Sequence, residues 1–121
     1  MIEPARRTAD YLGHLLEAVA RIRKYTEGMD LSAFQSQTLV QDAVMRNIEI
    51  VGEAARNIVR QDPEFTAGHP EVPWTQAIRM RDRISHGYFA VDLDTVWHTV
   101  KRDFPAMESQ ALALLKALTL A

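Results

Sequence analysis

Arg81 and His86 are the two residues of this chain whose types and spacing bear most directly on chemistry. An imidazole titrates near neutrality and so can take or give a proton. A guanidinium is a planar fork that can engage two oxygens of one phosphate. Together they suit phosphodiester cleavage without a metal: a base removes a proton from a neighbouring hydroxyl, an acid protonates the leaving oxygen, and a cation stabilises charge building on the phosphate. Asp82 is placed to orient either partner, and Ser85 lies within about 60° of Arg81 around a helix. Each residue also has a plainer reading. A histidine in the last turn of a helix is ordinarily a cap favoured by the dipole, and an arginine on an apolar face is ordinarily half of an ion pair. Neither of these predicts cleavage. Tyr88, just past the helix, ordinarily packs or reaches solvent.

The element that must carry these residues begins at Trp74 and ends near Gly87. Around it Trp74, Ala77, Ile78 and Ile84 share the side of Arg81, whereas Arg79 and Arg83 point away. Arg81 therefore sits in the middle of the apolar face and needs a compensating partner, since an unpaired buried charge costs several kcal/mol.

Helical spacing also runs from Ala5 to about Glu27, with Gly28 as the stop, and from Gln37 to Arg60 as the longest helix, preceded by a capping-box pattern at Ser32 and Gln35. On the long helix Arg46, Glu49, Glu53, Arg56 and Arg60 lie opposite the apolar stripe, which reads as a solvated face. Pro63, Gly68, Pro70 and Pro73 mark residues 62–73 as a loop. Asp92 is a candidate N-cap for a helix to about Asp103, and Pro105 opens a Leu-rich last helix. No stretch alternates as a strand does, so the expected fold is all-α, an antiparallel bundle of four to five helices in one domain over residues 1–121.

Composition narrows the function classes. The absence of cysteine removes disulfides, thiolate metal sites and thiol nucleophiles, and makes a reducing cytoplasm the expected location. The first residues carry Glu3, Arg6, Arg7 and Asp10 with no apolar run of signal-peptide or membrane length. A formal charge of −2 means that any nucleic-acid contact must come from a local patch. His14, His69 and His98 show no metal-ligand spacing, and there is no glycine-rich phosphate loop or serine-hydrolase elbow. Neither a metal nor a cofactor is expected.

The string Met80-Arg81-Asp82-Arg83-Ile84-Ser85-His86-Gly87-Tyr88-Phe89 resembles the signature of HepT-like HEPN ribonuclease toxins: Arg, four residues, His, one residue, Tyr. The segment from Gln41 to Ala54 is similar to that family's long second helix, Val72-Pro73-Trp74 to its lead-in to the catalytic helix, and residues 91–97 to the family's stretch just after that helix. The resemblance implies a HEPN-like bundle acting as a metal-independent endoribonuclease on RNA. It further implies a homodimer in which the Arg81 and His86 side chains of two copies line one cleft. It also implies the toxin of a toxin–antitoxin pair, whose minimal nucleotidyltransferase antitoxin transfers AMP from ATP to Tyr88. The added bulk and negative charge would oppose RNA binding. One departure is Asp82, where relatives often carry Asn; a carboxylate so close would act on the charge of His86 or partly neutralise Arg81.

Two other readings stand beside this one. In the first, the same fold is a non-catalytic module that binds a nucleotide, RNA or a partner protein. In the second, the bundle is a structural subunit in which Arg81 pairs with Glu49 or Glu53. The Leu-rich last helix offers a surface for assembly beyond a dimer.

Overall fold

The computed structural model describes residues 4–87 and 92–120. It is all-α, as expected: α1 (Pro4–Tyr25), α2 (Leu31–Ser36), α3 (Thr38–Gln61), α4 (Pro63–Gly68), α5 (Trp74–Gly87), α6 (Leu93–His98) and α7 (Phe104–Leu120). Four are long, and α2, α4 and α6 are six-residue pieces between them. No described helix is long and apolar enough to cross a membrane.

The long helices pack because each carries an apolar stripe at helical spacing. Leu12, Leu15, Val19 and Ile22 of α1 meet Val44, Ile48, Val51, Ala55 and Ile58 of α3 in a core whose members are nearly or fully inaccessible to solvent. Polar contacts fix the directions. Thr8 at the start of α1 donates to Asp62 just past the end of α3 at 3.1 Å, and Gln61 donates to Thr8. These two helices are therefore antiparallel. Arg23, late in α1, forks onto Glu108, early in α7, at 3.1 and 3.3 Å, so α7 also runs against α1. Hydrogen bonding by Glu108, and then its charge, raises the Arg23 guanidinium pKa above its ordinary value.

The helix ends depart from the sequence expectation in three places. The cap of α2 is Asp30, which accepts from the Ala33 amide at 2.8 Å, and not the Ser32 of the capping-box pattern. Gln35 instead donates to Asp94 of α6. Residues 62–73 are not all loop: Asp62 accepts from the Phe65 amide and Pro63 sits in the first turn of α4, where its missing N–H costs nothing. The two final helices are joined through a π-helical turn, Thr99–Asp103, with no break between them. That wider turn precedes Pro105, which has no N–H to give to a carbonyl four residues back. Other expectations stand. Gly28, the stop of α1, takes φ +75°, and Asp92 caps α6 by accepting from the Asp94 amide at 3.0 Å.

Candidate active site

The site is built where α5 crosses α3. A Cβ on Gly52 would lie 2.1 Å from Cβ of Arg81 and 2.8 Å from the Ala77 carbonyl oxygen, so the two backbones approach as closely as only glycine permits. A glycine inside a helix costs about 1 kcal/mol relative to alanine. Here it lets Ala77 and the stem of Arg81 seat directly on α3. Trp74 and Ile84 are buried on the same side of α5, and the indole N–H of Trp74 donates to the His69 carbonyl at 3.0 Å, fixing the lead-in.

Arg81 is 24% exposed and is held by two carboxylates: Glu53 of α3 at 3.2 Å and its neighbour Asp82 at 3.0 Å. Both acids are about half exposed, at 50% and 51%. One turn on, Ser85 donates to Glu49 of α3 at 2.9 Å. The pairs 81 with 53 and 85 with 49 step in opposite directions, which sets α5 antiparallel to α3. Glu49 and Glu53 thus receive donors from α5: Arg81 pairs with Glu53, one of the two acids expected for it, and Glu49 leaves the solvated face to take Ser85.

His86 is exposed in the last turn of α5, and its Nδ1 donates to the Asp82 carbonyl at 3.1 Å. That bond puts the proton on Nδ1 and leaves Nε2 as the nitrogen able to accept one. His86 is five positions on from Arg81, so they stand roughly 140° apart around the helix and about 7.5 Å along it. No contact joins them. The cavity of about 310 Å³ that opens beside Arg81 is lined by His14, Arg46, Glu49, Ile50, Glu53, Ala54 and Asn57, without His86. Tyr88 lies outside the described residues.

Sequence reasoning singled out Arg81, Asp82, Ser85 and His86 as candidates; it did not single out Gly52 at the helix crossing, or His14 and Arg46 on the cavity wall. A lone glycine inside the long helix was the available signal for the first. Nothing in spacing links His14 of α1 to the other two. Among the described residues no group of three or more His, Cys, Asp or Glu is placed to hold a metal ion. A larger cavity, about 320 Å³, lies on the other side of α5 between Ala77, Met80, Phe104 and Met107 and contains neither Arg81 nor His86.

The model of the family described as ribonuclease HepT-like matches residues 15–114. The chain is 39% identical over 111 residues to a protein of Thermococcus cleftensis named "Probable ribonuclease HepT", covering 92% of this chain and 98% of that protein. It is 31% identical over 106 residues to a provisionally named RNase of Caldanaerobacter subterraneus subsp. tengcongensis, covering 88% of this chain and 92% of that one. A Methanocaldococcus jannaschii protein whose name joins a gamma-glutamylcyclotransferase to a provisional RNase is 37% identical over 108 residues. That match covers 89% of this chain but 47% of the relative. No solved structure matches. With the family model spanning most of its length and two of these relatives matching nearly end to end, this chain belongs to the HepT-like ribonuclease family.

Proposed function

We infer that this protein is a metal-independent endoribonuclease, the toxin of a toxin–antitoxin pair, in which Arg81 binds the scissile phosphate and His86 moves the protons. The observation that carries the reading is the state of Arg81. It is seated on α3 through Gly52 yet opens into a polar cavity, and its two carboxylate partners are half exposed. Exposed pairs of that kind are worth about 0–1 kcal/mol. A phosphate can therefore displace them, gaining the two-pronged contact that a guanidinium favours.

Cleavage then uses the nucleophile that RNA already carries. The 2′-oxygen attacks phosphorus as Nε2 of one His86 takes its proton, the bond from phosphorus to the 5′-oxygen breaks, and that oxygen receives a proton from an imidazolium. The products are a 2′,3′-cyclic phosphate and a 5′-hydroxyl. The separation of Arg81 and His86 around α5 supports an active dimer, in which the arginine of one copy and the histidine of the other border a common cleft. Asp82 holds Arg81 through its side chain and His86 through its backbone carbonyl. Ser85 ties the helix to Glu49.

Tyr88 is the regulatory residue. A nucleotidyltransferase antitoxin would join its phenolic oxygen to the α-phosphorus of ATP with loss of pyrophosphate, placing a negative phosphodiester two residues from His86. An activity on cellular RNA puts the protein in the cytoplasm.

The competing reading, a binding module that cuts nothing, draws on the fact that both terminal guanidinium nitrogens of Arg81 are already engaged. End-group analysis separates the two. Incubation of RNA with the protein in excess chelator should yield fragments ending in cyclic phosphate. Intact RNA would favour the binding module, and 3′-hydroxyl ends would overturn the mechanism.

A further inference from the structure

The cavity beside Arg81 extends well past the residue itself. On α3 its wall runs through Arg46, Glu49, Ile50, Glu53 and Asn57, which is one face of the helix, and α1 closes the other side with His14. Its volume of about 310 Å³ falls at the low end of sites that hold small ligands, which begin near 300 Å³. The partners of its charged and titratable groups are uneven. Glu53 and Arg81 satisfy each other, and Glu49 accepts from Ser85. Arg46 and His14 are exposed and make no hydrogen bond or ion pair with another described residue; His14 has only an edge contact with the ring of Tyr11.

We propose that Arg46 and His14 form a subsite for a flanking phosphate of single-stranded RNA, so that the strand lies along α3 from Arg81 to Arg46. Arg46 precedes Glu53, the partner of Arg81, by seven residues, roughly 10 Å along the helix axis. That places a second cation at the reach of a phosphate one or two nucleotides from the scissile one. Glu49 lies between the two cations. Its carboxylate has acceptor positions beyond the one used by Ser85, and a ribose 2′-hydroxyl is a donor that DNA lacks. Two cations at the ends of the groove with an acceptor between them suit an extended strand, whose phosphates meet the ends and whose ribose meets the middle. The subsite rests on the ribonuclease reading of Arg81, but it can be tested separately.

The test uses His86→Ala protein, which leaves bound RNA intact, and a fluorescein-labelled single-stranded RNA decamer followed by anisotropy across a salt series. Adding Arg46→Gln should weaken binding about tenfold and make the slope of log affinity against log salt shallower by about 0.7, the signature of one lost phosphate contact on a single strand. His14→Phe, which keeps the ring and removes its nitrogens, should weaken binding about threefold, as for one lost hydrogen bond. Lys116→Gln, at an exposed position of α7, removes the same formal charge and should change neither quantity. The proposal is overturned if Arg46→Gln leaves affinity and slope unchanged, if Lys116→Gln matches it, or if no variant binds the decamer. Cleavage by the wild type measured alongside keeps the two claims apart. Binding that depends on Arg46 without any cleavage would remove the ribonuclease reading and leave the subsite. Cleavage with binding indifferent to Arg46 would do the reverse.

Discussion

At the scale of single residues, the question is what an arginine gains from being paired twice and still accessible. A buried ion pair broken by truncation costs about 3–5 kcal/mol. Glu53 and Asp82 are half exposed, so solvent screens both contacts to Arg81 and a smaller figure applies. Arg81→Ala is predicted to lower unfolding free energy by about 1 kcal/mol in urea titration, while cleavage is lost. A stability loss of the larger size would instead mark Arg81 as a structural strut. Asp82→Asn removes one competitor of the phosphate and restores the residue type that the family resemblance associates with this position. It should raise kcat/KM on RNA by roughly threefold, the scale of a single exposed pair. A fall would show that the carboxylate assists the reaction.

At the scale of elements, the crossing of α3 and α5 at Gly52 sets where Arg81 can be. Gly52→Ala would gain about 1 kcal/mol of helix propensity and lose about 1–3 kcal/mol to overlap with the Ala77 carbonyl and the Arg81 stem. Both obstacles are at or next to backbone, so α5 must shift away from α3. The expected result is a lower melting temperature together with reduced cleavage, and an unchanged melt would contradict the geometry. Asp30→Ala, by removing the cap of α2, should cost about 1 kcal/mol without touching cleavage. The long helices were legible in the sequence because an apolar stripe of 3.6-residue period leaves a mark on every turn, as at Val44, Ile48, Val51 and Ala55. Which residue caps α2 was not, because Asp30 and Ser32 are chemically alike as caps and only the path of the chain chooses between them. The pairing of Arg81 with Glu49 or Glu53 was one of the sequence readings, but that Glu53 takes Arg81 while Glu49 takes Ser85 was hidden for a related reason. The wheel of α3 shows those acids opposite its apolar stripe but does not show that α5 lies close enough for its side chains to reach them.

At the scale of the whole molecule, a single copy keeps Arg81 and His86 on different sides of α5, and the proposed chemistry needs a second copy to bring them to one cleft. Sedimentation should therefore give twice the chain mass at concentrations where RNA is cut. Leu112 and Leu120 on α7 are exposed apolar side chains. Regulation is tested on the same assembly. Incubation with ATP and a minimal nucleotidyltransferase of the antitoxin class should add the mass of AMP to the wild type and not to Tyr88→Phe, and should end cleavage by the wild type alone. The most direct test of the central claim is cleavage of total RNA by wild-type and His86→Ala protein in excess chelator, with circular dichroism to establish that both are folded. Fragments from the wild type and intact RNA from the variant are the predicted result. Equal cleavage by both, or none by wild-type protein shown by mass spectrometry to be free of AMP, would contradict it.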